Sequence, residues 1–88
     1  IGPVVTAEKK TITIDVTDLG ITESFTLELW EKGEPHNPMT YEAGTTTVTI
    51  KLEGYGKEEY EIWINEICVK DVTIDFSDGQ PTMEIKVP

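Results

Sequence analysis

The stretch KEEYEIWINEICVKDVTIDF, residues 57–76, alternates apolar and polar side chains on either side of a break at Asn65-Glu66. Successive side chains of a β-strand point to opposite faces, so a period of two is typical of strands with one buried face. A two-residue connection places Ile64 opposite Ile67 and keeps the apolar faces on one side, which predicts a tight hairpin. The apolar residues then change from odd to even positions, which predicts a bulge or a change of sheet at Lys70-Asp71.

The same alternation recurs along the rest of the chain. Its apolar positions include Ile12, Ile14, Val16, Phe25, Leu27, Leu29, Val48, Ile50, Leu52, Met83, Ile85 and Val87. Seven to eight short strands, spaced roughly 8–12 residues apart, predict an all-β, antiparallel, two-sheet sandwich. The side chains expected to form the centre of the core are Ile14, Leu27, Leu29, Ile50, Tyr60, Ile62 and Ile64.

Residues 1–88 are expected to form a single domain, because the chain is too short for two separate cores. Residues 1–9 contain Gly2-Pro3 and are predicted to be a linker or an edge strand, where proline is tolerated. Two prolines and a glycine predict a loop over residues 32–38. A turn and a further alternating segment predict an extra C-terminal strand within residues 77–88.

The run LEGYGKEEYEIWI, residues 52–64, resembles the loop and strand F of the immunoglobulin-like and fibronectin type III-like β-sandwich superfamily. With the strand rhythm, this resemblance extends from Lys10 to Phe76. It implies that Tyr60 corresponds to the tyrosine that tucks under the preceding loop in that superfamily. Trp30 lies out of phase with its own strand and does not match the usual inward tryptophan. The resemblance implies a fold and not one activity, because this fold carries adhesion, carbohydrate-associated, receptor and linker modules.

The charge of the chain excludes two classes of partner. Seventeen acidic residues oppose seven basic ones, and the formal net charge is -10. All the basic residues are lysines. Nucleic-acid binding requires a basic surface, and an anionic membrane attracts basic segments, so neither partner is expected. No stretch has the length and hydropathy of a membrane span, so no membrane insertion is expected.

The sequence predicts neither an enzyme nor a cofactor. His36 and Cys68 are the only residues of their kinds, and no nucleophile, base and oxyanion-binding group fall into a recognisable arrangement. No glycine-rich loop follows a strand and opens a helix, as a phosphate-binding loop does. A single cysteine also excludes an internal disulfide bond.

No metal site is expected either. Asp71, Asp75 and Asp78 lie close together in sequence, but they lack the spacing of a calcium-binding loop. Asp71 and Asp75 alternate with apolar residues and are therefore predicted to face solvent. Asp15 and Asp18 flank an early turn and are interpreted in the same way.

Trp30 and Trp63 are the strongest candidates for a binding site. Each lies one residue out of phase with the apolar positions of its strand, so each is expected on the outer face of a sheet. Exposed tryptophans are uncommon and typical of binding surfaces for proteins or sugar rings. Tyr41, in a short strand predicted at residues 39–41, is a third candidate binding residue. In the alternative interpretation, residues 77–88 or the long loop fold over the tryptophans.

The pattern favours a non-catalytic, extracellular or cell-surface interaction or spacer module that binds a protein partner. A first alternative is a self-assembling structural subunit of a fibre, pilus or virion, in which a terminal strand pairs with the sheet edge of another copy. A second alternative is a carbohydrate-binding module in which Trp30 and Trp63 form the platform for a glycan.

Overall fold

The structure, a computed structural model, describes residues 5–88, except for the side chain of Asn37. Seven strands lie in this part of the chain, and the short 3-10 helix Thr17–Leu19 follows the first of them. The strands are β1 (Glu8–Asp15), β2 (Phe25–Glu31), β3 (Glu34–Tyr41), β4 (Thr47–Gly54), β5 (Lys57–Ile64), β6 (Ile67–Asp75) and β7 (Thr82–Lys86). Among the described residues, no helix has the length and hydropathy needed to cross a bilayer.

The strands form two sheets, as the sequence predicts. One sheet has the order β4-β1-β7 and the other has the order β3-β2-β5-β6. Most neighbouring strands are antiparallel, but β1 and β7 pair in parallel. The parallel pair differs from the antiparallel arrangement expected. It arises because the chain leaves β6 in one sheet, turns over residues 77–81, and enters the other sheet alongside β1 in the same direction.

The core lies between the two sheets and is built from alternate residues of the strands. All seven residues predicted for its centre are buried, so that prediction is confirmed. The buried apolar side chains are Ile12, Ile14, Val16, Phe25, Leu27, Leu29, Val48, Ile50, Leu52, Tyr60, Ile62, Ile64, Ile74, Phe76, Ile85 and Val87. Their burial removes apolar surface from water and provides the main favourable contribution to folding.

The hairpin between β5 and β6 has the predicted two-residue turn. Asn65 and Glu66 both adopt a left-handed backbone conformation, with φ values of 48° and 66°. This conformation gives a type I′ turn, whose twist matches that of the strands it joins. Ile64 pairs with Ile67 across the turn, as expected.

The register shift in β6 lies beside the predicted position. Ile62 pairs with Lys70, whereas the next residue, Trp63, pairs with Cys68. Val69 is therefore the additional residue of a β-bulge. The bulge keeps Cys68 on the same outer face as Trp63 and returns the following apolar residues to the core side.

The prediction of a loop over residues 32–38 is wrong. Only Lys32 and Gly33 form the connection, with φ values of 52° and 80°, and the chain continues directly into β3. The prolines are tolerated because β3 is an edge strand, where a missing N–H group does not interrupt the sheet. The strand predicted at residues 39–41 is the end of this longer strand.

The ends of the chain were predicted in part. Residues 1–4 lie outside the described residues, residues 5–7 have no regular structure, and β1 already begins at Glu8. The predicted C-terminal strand is β7, which buries Ile85 and, just beyond the strand, Val87. It completes the three-stranded sheet, so it does not cover the outer face of the other sheet.

One ion pair between a buried lysine and an exposed aspartate joins the turn before β7 to β1. Lys10 is 3% exposed, and its Nζ donates a hydrogen bond to Asp78 Oδ1 at 2.6 Å. The same carboxylate accepts a hydrogen bond from the backbone N–H of Gln80 at 2.8 Å. These hydrogen bonds, that from Lys10 first, lower the pKa of Asp78. The pair satisfies a lysine that would otherwise be buried without a partner.

Replacing Ile62 tests the strand phase. Ile62→Ala removes a fully buried side chain and should lower the free energy of unfolding by about 2–5 kcal/mol. Ile67→Ala removes the same atoms from a side chain that is 65% exposed, and should change it by less than about 0.5 kcal/mol. Urea denaturation of both variants measures the difference. Equal losses would show that the inward and outward positions of the hairpin are misassigned.

Replacing Asp78 tests the ion pair with Lys10. Asp78→Asn should clearly lower the melting temperature at neutral pH, because it leaves the Lys10 ammonium buried without a counter-charge. Asp18→Asn is the matched control, since Asp18 pairs with Lys86 at 3.2 Å in an exposed position where ion pairs contribute little. The difference in melting temperature between the wild type and Asp78→Asn should shrink as the pH falls through the lowered pKa of Asp78, because the wild-type carboxylate is then also neutralised. Equal melting temperatures for both variants at neutral pH would contradict this role.

Candidate functional site

Trp30 and Trp63 lie together on the outer face of the four-stranded sheet. Trp30 is in β2 and Trp63 is in the neighbouring strand β5. Their rings stack with centroids 4.7 Å apart and planes inclined by 27°. Both side chains are half-buried and separate from the core between the sheets. The structure therefore confirms that the two tryptophans share one outer face.

Two glutamates hold the tryptophan pair in place. Trp30 Nε1 donates a hydrogen bond to Glu28 Oε2 at 3.0 Å, and Trp63 Nε1 donates one to Glu61 Oε1 at 3.2 Å. Across the strands, Glu28 is paired with Trp63, and Glu61 with Trp30. Each indole is therefore beside both carboxylates, and these four residues form the Trp–Glu cluster. Each of the two carboxylates accepts one hydrogen bond from an indole N–H. Its remaining lone pairs are available to another donor.

A shallow groove runs beside the cluster, across β5 and onto β6. Its lining includes Trp30, Lys32, Glu59, Glu61, Asp71 and Thr73, and we call it the acidic groove. Glu61 is paired with Trp30 on one side and with Asp71 on the other, so these three residues form a row across three strands. Trp63 does not line the groove, which lies on the other side of Trp30. One indole and three carboxylates therefore border the same open space.

Cys68 lies at the edge of this face, paired with Trp63. Its Sγ is 3.9 Å from Asp71 Oδ1 and donates a weak hydrogen bond to it. Partial desolvation raises the pKa of the Cys68 thiol, and the nearby charges of Glu61 and Asp71 raise it further. The ligand atoms of these three residues lie within 4.8 Å of one another. A metal ion would have to displace the thiol proton that this environment retains.

Tyr41 does not join the tryptophan pair. It is paired with Phe25 at the opposite end of β2 from Trp30. Its ring stacks on that of Phe25 at 5.6 Å and packs against the core. Burial raises the pKa of its hydroxyl. Of the three candidate binding residues, the structure brings together Trp30 and Trp63 and places Tyr41 elsewhere.

His36 and Cys68 lie on opposite edges of the four-stranded sheet, in β3 and β6. They are therefore not arranged as a nucleophile and its base, which must lie within hydrogen-bond reach. His36 Nε2 is instead 3.3 Å from Glu31 Oε1, and its ring meets that of Tyr60 edge-on at 6.4 Å.

Glu31 and Glu58 are neighbouring carboxylates at this end of the sheet. Partial burial raises the pKa of Glu58, and the neighbouring Glu31 carboxylate raises it further by accepting a hydrogen bond from the protonated form and by like-charge repulsion. Glu31 Oε2 is buried and has no donor among the described side chains while Glu58 is ionised. Burial, followed by these two carboxylates, strongly raises the pKa of Tyr60.

Asp15 and Asp75, at the ends of their strands, accept hydrogen bonds from the turns that follow. Asp75 Oδ1 accepts hydrogen bonds from the backbone N–H of Ser77 at 2.9 Å and from its hydroxyl at 2.6 Å. Asp15 Oδ1 accepts one from the N–H of Thr17 at 2.9 Å. The hydrogen bonds lower the pKa of both aspartates. Such side-chain to backbone contacts stabilise turns without a metal ion.

Sequence reasoning identified the tryptophans but missed the importance of the carboxylates around them. The available signal was the repeated pattern of glutamate, apolar residue and tryptophan, at residues 28–30 and again at residues 61–63. In neighbouring antiparallel strands, such a repeat places each glutamate beside both indoles. The repeat does not predict the groove. Asp71 and Thr73 are brought to this face by the pairing of β6 with β5.

No family model matches the chain, and no curated protein or solved structure is significantly similar to it.

Replacing Glu58 tests the carboxylate pair. A carboxyl group whose pKa is raised above its ordinary value of 4.5 binds its proton more tightly in the folded state. Ionisation of Glu58 therefore reduces stability as the pH rises through its pKa in the folded protein. Glu58→Gln should be more stable than the wild type at neutral pH, and this advantage should disappear in acid. Urea denaturation over a pH series measures both effects.

The matched control is Glu84→Gln, which removes the same charge from an exposed position on the other sheet. This control corrects for the general benefit of lowering the negative charge of the domain. Parallel pH profiles for the two variants would contradict the proposed repulsion between Glu58 and Glu31.

Proposed function

We propose that this protein is a non-catalytic interaction module that binds a protein partner through the Trp–Glu cluster. The observation that carries the proposal is the stacked pair Trp30 and Trp63 on an outer sheet face, outside the core. Tryptophan is enriched among the residues that dominate protein–protein binding, because it presents a large, rigid apolar surface with a polar N–H. A rigid pair of this kind loses little conformational freedom on binding.

We further infer that the sandwich is of the immunoglobulin-like or fibronectin type III-like type. Support comes from the four-stranded order β3-β2-β5-β6, opposed by a sheet that pairs β1 with β4. Tyr60, the residue that carries the resemblance in sequence, is buried in β5. The parallel β7 is an addition to that pattern. Modules of this type are common outside cells, which supports the proposal of an extracellular or cell-surface location.

The alternative of a self-assembling subunit stays a prediction with less support. It requires a terminal strand that pairs with another copy, whereas β7 already pairs with β1 along one edge and leaves only its outer edge open. Sedimentation velocity measures this directly, since polymers would favour the structural subunit and a discrete monomer would favour the module.

The carbohydrate-binding alternative also stays a prediction. Sugar rings stack on exposed indole faces. In the stacked pair, each indole covers one face of the other, so only the second face of each ring is available to a sugar. A glycan array measures this alternative, and strong Trp63-dependent binding of one glycan class would favour it over a protein partner.

Selection from a random peptide library displayed on phage tests the proposed function. The wild-type domain should enrich peptides whose affinity falls by about tenfold or more in Trp63→Ala, a loss of about 1.4 kcal/mol or more. The substitution should cost less in folding, because Trp63 lies outside the core. Isothermal titration calorimetry and urea denaturation measure the two effects.

Tyr55→Ala is the matched control, because Tyr55 is an aromatic residue that is 58% exposed and does not belong to the cluster. The selected peptides should bind this variant as they bind the wild type. Recovery only of peptides that are indifferent to Trp63, or of none, would contradict the proposed function.

A further inference from the structure

We propose that the acidic groove beside Trp30 receives an arginine side chain from an extended, basic segment of the partner protein. This inference rests on the proposed function and names the chemistry of the partner. The occupant of the groove is a guanidinium group, which packs against the indole of Trp30 and donates hydrogen bonds to the carboxylates around it.

The charges around the groove are unbalanced. Glu59, Glu61 and Asp71 line it together with a single ammonium group, that of Lys32. The ion pairs found among the described residues join other side chains, namely Lys9–Glu53, Lys10–Asp78 and Lys86–Asp18. The three carboxylates of the groove therefore form no ion pair within the described part of the chain, and one ammonium group faces three carboxylates. A cationic partner supplies the missing counter-charge.

The geometry of the row Trp30, Glu61 and Asp71 fits a guanidinium group. Neighbouring strands are about 4.8 Å apart, so Glu61, in the middle of the row, stands beside both Trp30 and Asp71. The carboxylate oxygens of Glu61 and Asp71 lie within 4.8 Å of each other, close enough for one planar group to bridge. Trp63 covers one side of Trp30, and the groove lies on the other side. Arginine stacks on indole rings through cation–π attraction and donates paired hydrogen bonds to carboxylates, whereas lysine presents a point charge.

The same charges disfavour other occupants. A second copy of this chain would bring an equal set of carboxylates to the face, because symmetric contacts use the same patch on both copies. The formal net charge of -10 adds long-range repulsion between copies. A neutral sugar ring would donate hydroxyl hydrogen bonds to the carboxylates but would bring no counter-charge to them.

Two short amidated peptides test the proposal. One contains two arginines in a glycine–serine background, and the other contains citrulline, which has the same shape without the charge, at both positions. The chain has two tryptophans, so its two indole N–H signals in a nitrogen–proton correlation spectrum report directly on the face. The arginine peptide should shift the Trp30 signal and bind about tenfold more tightly than the citrulline peptide. Raising the salt from about 50 mM to about 500 mM should weaken its binding.

The double variant Glu59→Gln/Asp71→Asn removes two charges of the groove and leaves Glu61, which anchors Trp63, in place. It should weaken binding of the arginine peptide by about tenfold. Glu53→Gln/Glu84→Gln is the matched control, because it removes two exposed charges from the other sheet. Binding to this control should stay within about twofold of the wild type, since distant exposed charges are screened by salt. Thermal melting shows that each variant is folded.

Equal binding of the arginine and citrulline peptides, or equal loss in both double variants, would overturn the proposal. Failure of the arginine peptide to move either indole signal would also overturn it. Indole signals that shift with protein concentration alone would assign the face to a second copy instead. If library selection yields Trp63-dependent peptides without basic residues, the proposed function stands and only the arginine inference fails. If neither experiment yields a ligand for this face, both fail.

Discussion

The structure depends on one constraint, which is that each strand buries one of its two faces between the sheets. Ile62 and Trp63 are neighbours in sequence, yet one is fully buried in the core and the other stacks on Trp30 outside it. The alternation leaves no intermediate position, because a shift of one residue exchanges the two faces. The core and the candidate binding face are therefore two sides of the same strands, and the stability of the core fixes the positions of the outer residues.

Closure of the sandwich depends on the last strand. β7 adds Ile85 and Val87 to the core and extends the three-stranded sheet beyond β1. The buried Lys10 and the exposed Asp78 join the turn before β7 to β1. The net stability of a small domain is only a few kilocalories per mole, so the loss of one pair that positions a whole strand is a large fraction of it.

The acidic character of the chain has different consequences at different places. At turns, Asp15 and Asp75 accept local hydrogen bonds, and their negative charge is stabilised. Next to Glu31, the charge of Glu58 is disfavoured, so that end of the sheet carries electrostatic strain. On the outer face, indole N–H groups orient two glutamates, and the neighbouring groove retains an excess of negative charge. Acidic residues thus support the fold, oppose it, or remain on the surface as unpaired negative charge, according to their neighbours.

Local pattern in the sequence was enough to predict features that depend on alternation or on turn chemistry. The all-β two-sheet fold, the centre of the core, the turn at Asn65-Glu66 and the shared face of Trp30 and Trp63 belong to this class. The bulge was predicted at Lys70-Asp71 and lies at Val69. The change of the apolar residues from odd to even positions shows that a register shift occurs, but not which residue it leaves unpaired.

Other features were decided only by tertiary structure, because they depend on which strands become neighbours. The prolines of residues 32–38 suggested a loop, but they are compatible with a strand once β3 lies at an edge. The parallel direction of β7, the removal of Tyr41 to the core side and the gathering of Glu61, Asp71 and Trp30 around one groove also follow from strand pairing. Alternation within a strand fixes the face of each side chain, whereas the identity of its neighbours is a non-local property that the pattern of a single strand does not contain.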